Sequence, residues 1–218
     1  MQISNETTQI LKNFASINNS ILFREGDIVS TITNAKSIFA RAQVSEHFPK
    51  EVAIYDLSKV LALLSIRENQ EVDFGDRAIT ISKDNAKFEY FYASKDLVKG
   101  APDKTIEVDE FFKFKLTAED VGMINKAAAI TEAPNISITC KNQTVTLTVG
   151  DRKNQSANNF KKEIGTGLQD FDVFIAVENF KVIPDAYEVT VSQRKFLYFK
   201  HETKNLQYWI ACEPESVV

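Results

Sequence analysis

Five basic residues, Lys12, Lys59, Arg67, Lys126 and Lys181, lie on or beside four stretches whose apolar residues recur at helical spacing. An ammonium on a flexible stem is a point charge without directional preference, suited to a phosphate oxygen rather than to bond-making. The acids of the same stretches, Glu6, Glu119, Asp120 and Glu178, fall in first turns, where the helix dipole favours a carboxylate. Past the helix starts, every remaining charge of these helices is basic. On a helical wheel Lys59 and Lys126 lie opposite the apolar stripe, and Lys12 and Lys181 lie on its flank. Two readings stand: a solvated face that drew lysines, or a surface for a polyanion. If all four helices pack on one side of their sheets, the lysines form a faintly basic surface, and few weak phosphate contacts permit sliding.

Other chemistries find little support. The two histidines, His47 and His201, belong to no HExxH or Cys/His pattern, and no GxSxG, P-loop or GxGxxG sequence is present. Neither catalysis nor a cofactor nor a bound metal is expected. Cys140 and Cys212 sit in strand-like runs, ISITCK and YWIACE, and read as small buried hydrophobes, free thiols in a reducing compartment. No window has the run of ~18 apolar residues needed for a membrane span, and the first residues lack the basic start and apolar run of a signal peptide. The chain carries 26 basic and 30 acidic residues, a net charge of −4, which by itself argues mildly against a nucleic-acid surface.

The elements that must position these lysines come twice. Residues 4–18 predict a short amphipathic helix capped by Ser4, with a stripe of Thr8, Leu11, Phe14 and Ala15. Strand-like runs follow at 20–24, 27–33 and 37–44. Residues 51–67 then pass from strand into a helix with Leu57, Val60, Leu61 and Leu64 on one face, and a meander covers 70–92. Thr117 opens a second cycle: a helix with Val121, Ile124, Ala127 and Ala128, strands at 135–141 and 144–150, FKKEI at 160–164, a strand running into a short fourth helix over 170–184, and three final strands. A shift of 113 residues superposes the two leading stripes. The fold class expected is α+β, duplicated as residues 1–93 and 114–218 around a charged connecting loop over 94–113.

At this point the sequence resembles a known family. ETTQILKNFASIN (6–18), VAIYDLSKVLALLS (52–65), APDKTIEV (101–108) and LTAEDVGMI (116–124) are similar to the sliding clamps of T-even-type bacteriophages. The resemblance implies a DNA-clamp fold: two similar domains, each with antiparallel sheets outside and two helices inside, assembling head to tail into a homotrimeric ring. It implies sequence-independent encirclement of double-stranded DNA in the cytoplasm of an infected bacterial host. A clamp loader ATPase would open the ring, the replicative DNA polymerase would be tethered by its C-terminal peptide, and late-gene transcription factors would be further partners.

The same resemblance assigns residues. Lys12, Lys59, Arg67, Lys126 and Lys181 would face DNA. Ile38, Phe39, Ile106, Val108, Trp209 and Ala211 would form the partner-peptide pocket, although each also suits an ordinary core. Phe88, Tyr90 and Tyr92 of one subunit would meet Phe160 and Ile164 of the next, which would cover the apolar run KFEYFY. A tandem β-rich peptide-binding adaptor without DNA function would use the same duplication and the same edges.

Overall fold

The computed structural model describes residues 1–103, 106–154 and 156–218, so Lys104, Thr105 and Gln155, which fall in the expected connecting loop and in the stretch before FKKEI, lie outside the described residues. The chain divides into two compact units, 1–104 and 105–218.

The first unit runs α1 (Asn5–Ile17), β1 (Ile21–Phe23), β2 (Gly26–Ile32), β3 (Ile38–Phe48), β4 (Val52–Ile54), α2 (Leu57–Ser65), β5 (Glu71–Phe74), β6 (Ala78–Lys83) and β7 (Ala86–Phe91). α1 starts where Ser4 leaves helical geometry and its hydroxyl accepts from the Thr7 amide at 3.1 Å, satisfying one of the donors that every helix start leaves free. Its buried stripe is Thr7, Ile10, Leu11, Phe14 and Ile17. The stripe is therefore rotated from the one expected: Thr7, not Thr8, faces inward, because its hydroxyl donates to the Glu46 carboxylate on β3. Glu46 also accepts from the Ser4 amide at 2.5 Å. Burial opposes the charge of Glu46, but the hydrogen bonds from Thr7 and Ser4 prevail and hold its pKa below the usual range. α2 is capped by Asp56, which accepts from the Lys59 amide at 3.1 Å. β1 pairs with β4, β2 with β3, and β5–β6–β7 form a meander, all antiparallel.

The second unit opens with an added strand and then follows a similar order, without a counterpart α-helix to α2: β8 (Phe112–Leu116), α3 (Ala118–Thr131), β9 (Asn135–Lys141), β10 (Thr144–Gly150), β11 (Phe160–Thr166), β12 (Phe171–Ala176), β13 (Tyr187–Ser192), β14 (Phe196–His201) and β15 (Leu206–Ala211). α1 and α3 begin 113 residues apart, at Asn5 and Ala118, each behind a hydroxyl cap. Thr117 and Asp120 form a reciprocal capping box. One sheet has the order β11-β10-β9-β12, and β15, β14, β13 and β8 follow one another in the second.

The fourth expected α-helix is a single 3-10 turn, Val177–Asn179. Only a few residues separate it from Pro184, and the intervening Phe180 and Val182 are buried in extended chain. β-Branched Val182 and Ile183 followed by proline leave too little chain for an α-helical nucleus.

The expected connecting loop is held at both ends within its own units. In the first, Arg24 donates to the Ala101 carbonyl at 2.7 Å, and Gly100 lies against Leu22, which an added Cβ would meet at 2.9 Å. In the second, the Asp109 carboxylate accepts from Ser192 and from the Gln193 amide at 2.7 Å. Backbone pairing begins at Phe111, which donates to Val191 at 3.1 Å.

Basic helices and open strand edges

Lys12 on α1 and Lys126 on α3 are exposed, on the sides of their helices away from the buried stripes. Lys59 is 74% exposed but lies 3.2 Å from Asp56, one turn back. Asp56 is held below its ordinary pKa first by the Asn19 amide and also by Lys59, so this lysine's positive field is partly spent on its own cap. Arg67 lies beyond the end of α2, 3.3 Å from Asp84. Lys181 is half-buried in the extended chain after the 3-10 turn, not on a helix. Charge type alone could not separate Lys12 and Lys126 from Lys59 and Arg67, which pair with aspartates. A signal was present for Lys59, because an aspartate cap three residues earlier brings a carboxylate onto the same face.

The six residues expected to hold a partner peptide are divided between the units. Ile38 and Phe39 on β3 are buried at 1% and 3% exposure. In the second unit Trp209 on β15 is 4% exposed and its ring lies 5.0 Å from that of Tyr198. Ile106, Val108 and Ala211 are half-buried. A buried indole can form a wall but cannot project into a partner.

The strand edges are more distinctive. β7 is an outer strand of its meander, and β11 is an outer strand of its sheet. On β7, Phe88 and Tyr90 stand opposite the buried Ile81 and Ile79 and so share the apolar face. Tyr90 accepts from the Asp56 amide at 3.0 Å, and Tyr92 donates to the Gly75 carbonyl at 3.0 Å. On β11, Phe160 and Lys162 stand opposite Val149 and Leu147. A bulge displaces Ile164 from the ladder, where the register shifts beside Gly165 at φ 155°. Lys162 reaches the carboxylate of Asp120 at the start of α3, which ties this edge to the helix.

The opposite edges of the same two sheets are engaged. Val72 on β5 exchanges hydrogen bonds with Met1, at 2.7 and 2.9 Å. Asp172 on β12 exchanges them with Val217, at 2.8 and 2.7 Å. The Ser216 hydroxyl accepts from the Phe174 amide at 3.1 Å, and Arg152 grips Asp172 bidentately.

Proliferating cellular nuclear antigen of Entamoeba histolytica superposes with a TM-score of 0.70 at 15% identity, covering 94% of each chain, so the fold is the DNA-clamp fold. Residues 4–104 match the family described as DNA polymerase processivity factor. The sliding clamp of Vibrio phage KVP40 is 29% identical over 98% of this chain and 99% of its own length. That of Enterobacteria phage T4 is 26% identical over 99% and 98%. Over nearly its whole length the chain is similar to the sliding clamps of these bacteriophages.

Among the described residues, no helix is long and apolar enough to cross a membrane.

Proposed function

We propose that the protein is a processivity clamp without catalytic activity, closing as a head-to-tail homotrimer around double-stranded DNA in the host cytoplasm. The observation that carries this reading is the pair of open edges, one in each unit, in a chain that resembles sliding clamps throughout. A head-to-tail contact needs two different surfaces per subunit, and three subunits of two units give a six-unit ring. In this reading Lys12 and Lys126 lead the contact with phosphate, with Lys59, Arg67 and Lys181 as weaker members. An ATP-driven loader opens the ring. Ile38, Phe39, Ile106, Val108, Trp209 and Ala211 receive the polymerase C-terminal peptide, and late-gene transcription factors are further partners.

Retention should then be topological. After loading, the protein should remain on nicked circular DNA at moderate salt and run off a linear duplex with free ends, because a few lysines cannot supply an affinity that survives salt. Equal retention on both would overturn the ring. A monomer that binds peptides but never DNA would instead be an adaptor.

A further inference from the structure

Resting on the ring reading, the geometry points to one register for the contact between subunits: β7 of one copy pairs antiparallel with β11 of the next, Lys87 opposite Glu163 and Glu89 opposite Lys161. The first constraint is the direction of the backbone groups. On β7, Tyr92 donates to Arg77 across the β6–β7 ladder at 3.0 Å. Hydrogen-bonded and non-bonded pairs alternate along an antiparallel ladder. Even-numbered residues of β7 therefore bond to β6, and Lys87, Glu89 and Phe91 direct their amides and carbonyls outward.

The same reasoning fixes β11. The β9–β10 hairpin closes on Lys141–Thr144 around Asn142 and Gln143, both at positive φ, so even residues of β10 bond to β9 and odd residues to β11. Gly167 donating to Gln143 at 3.0 Å agrees. Leu147 and Val149 thus bond Lys162 and Phe160, and Lys161 and Glu163 direct their backbone groups outward. Beyond Glu163 the bulge ends the regular edge. The partnered edges β5 and β12 obey the same alternation, since their outward-directed residues, Val72 and Asp172, are the ones engaged.

Only registers that set Lys87, Glu89 or Phe91 opposite Lys161 or Glu163 let both edges bond. Charge then selects among them. Placing Lys87 opposite Lys161 sets two lysines together, and placing Glu89 opposite Glu163 sets two glutamates together. Placing Phe91 opposite Glu163 forms no ion pair. The remaining register forms two opposite-charge pairs. It also puts Phe88 beside Lys162 and Tyr90 beside Phe160 on the apolar faces of both sheets, inner face with inner face. Lys87 and Glu89 already contact each other at 2.9 Å, so the two charges share one face of β7. Lys161 and Glu163 have no ion-pair partner among the described residues. A parallel arrangement with Lys87 opposite Lys161 and Glu89 opposite Glu163 would make both pairs repulsive.

The test is a charge exchange read by native mass spectrometry and sedimentation over a range of concentration. K87E/E89K alone, or K161E/E163K alone, should weaken the subunit contact about tenfold or more, and a chain carrying all four changes should return close to wild type. All four positions are exposed or at an edge, so folding is preserved. A second arm uses oxidation. Lys87→Cys with Glu163→Cys should cross-link into a covalent ring, and Lys87→Cys with Lys161→Cys should not. A trimeric wild type in which the fourfold chain stays dissociated, or in which the 87–161 pair cross-links preferentially, overturns this register and leaves the ring standing. A wild-type chain that remains monomeric at high concentration overturns the ring and the register with it.

Discussion

The Asp120 carboxylate joins a helix start to a strand edge: Oδ2 accepts from the Thr117 amide at 3.0 Å and hydroxyl at 2.9 Å, and Oδ1 receives the Lys162 ammonium. Asp120 is 7% exposed and Lys162 is 40% exposed, so the pair is half screened and its direct contribution is modest. Asp120→Ala should destabilise the second unit by roughly 1–2 kcal/mol, mostly through the lost cap. Lys162→Met should cost about 1 kcal/mol or less. Urea unfolding followed by far-UV circular dichroism checks both, and equal costs would show that the ion pair rather than the cap dominates.

Acid should act on the same carboxylate and on Glu46. Burial opposes ionisation of both, but hydrogen bonds prevail, from Lys162 and Thr117 at Asp120 and from Thr7 and Ser4 at Glu46, and both pKa values fall below the ordinary 3.8 and 4.5. A carboxylate with a depressed folded-state pKa contributes stability that is full above its unfolded value and lost as pH falls through its folded value. Stability should therefore hold down to pH near 4.5 and decline below it. In Glu46→Gln the decline should be shallower, as read by thermal melts across pH 2.5–6 (an experimental range of about three and a half units).

Reversing Lys12, Lys59, Lys126 and Lys181 together to Glu should abolish loader-dependent stimulation of processive synthesis while changing stability little, because three of the four are exposed and exposed charges contribute little to folding. The pair Lys12→Glu with Lys126→Glu should account for most of the loss, since Lys59 is shared with Asp56. Product-length assays on primed circular DNA, at two salt concentrations, give the readout. Normal synthesis by the fourfold variant would reduce these lysines to a solvated face.

Partner binding calls for two variants. Trp209→Ala should cost ~3–5 kcal/mol of stability, because it empties a buried site against Tyr198. Ala211→Asp, at the half-buried end of β15, should leave the fold intact and weaken a polymerase C-terminal peptide about tenfold or more. Calorimetric titration of the folded variant is the measurement. Unchanged affinity would remove Ala211 from the pocket.

Thiol chemistry supplies an independent check of packing in the second unit. Burial pushes the Cys212 thiol up to about 12, so its thiolate exists only in strong alkali. Cys140 is buried on β9. Iodoacetamide at pH 8 should label neither residue in the native protein within the time that labels both in urea.

The two leading helices were legible because each carries its start signal locally: Ser4 and Thr117 precede their stripes directly, and the 113-residue repeat reinforces both. The exact facing of α1 was not legible. Thr7 and Thr8 are equivalent in pattern, and what turns Thr7 inward is Glu46, 39 residues away. The missing fourth helix is a different failure, in which apolar spacing in VENFKVIP mimicked a stripe that β-branching and Pro184 do not allow to form. The basic residues were visible as a set, but that Lys59 and Arg67 are paired depends on Asp56 and Asp84. The alternation of Lys and Glu along β7 and β11 was in the sequence throughout. Its meaning emerges only when sheet order shows both strands to be unpaired on one side.

Met1 on Val72 and Val217 on Asp172 close the far margins of the two sheets that carry β7 and β11. On the proposed ring, growth by strand addition would consequently have a single polarity through these two sheets: one receptive margin and one complementary margin per copy. A protein with both margins of each sheet bare could branch or stack into ribbons, whereas on the proposed ring this one would only count, adding copies in one sense until the last met the first.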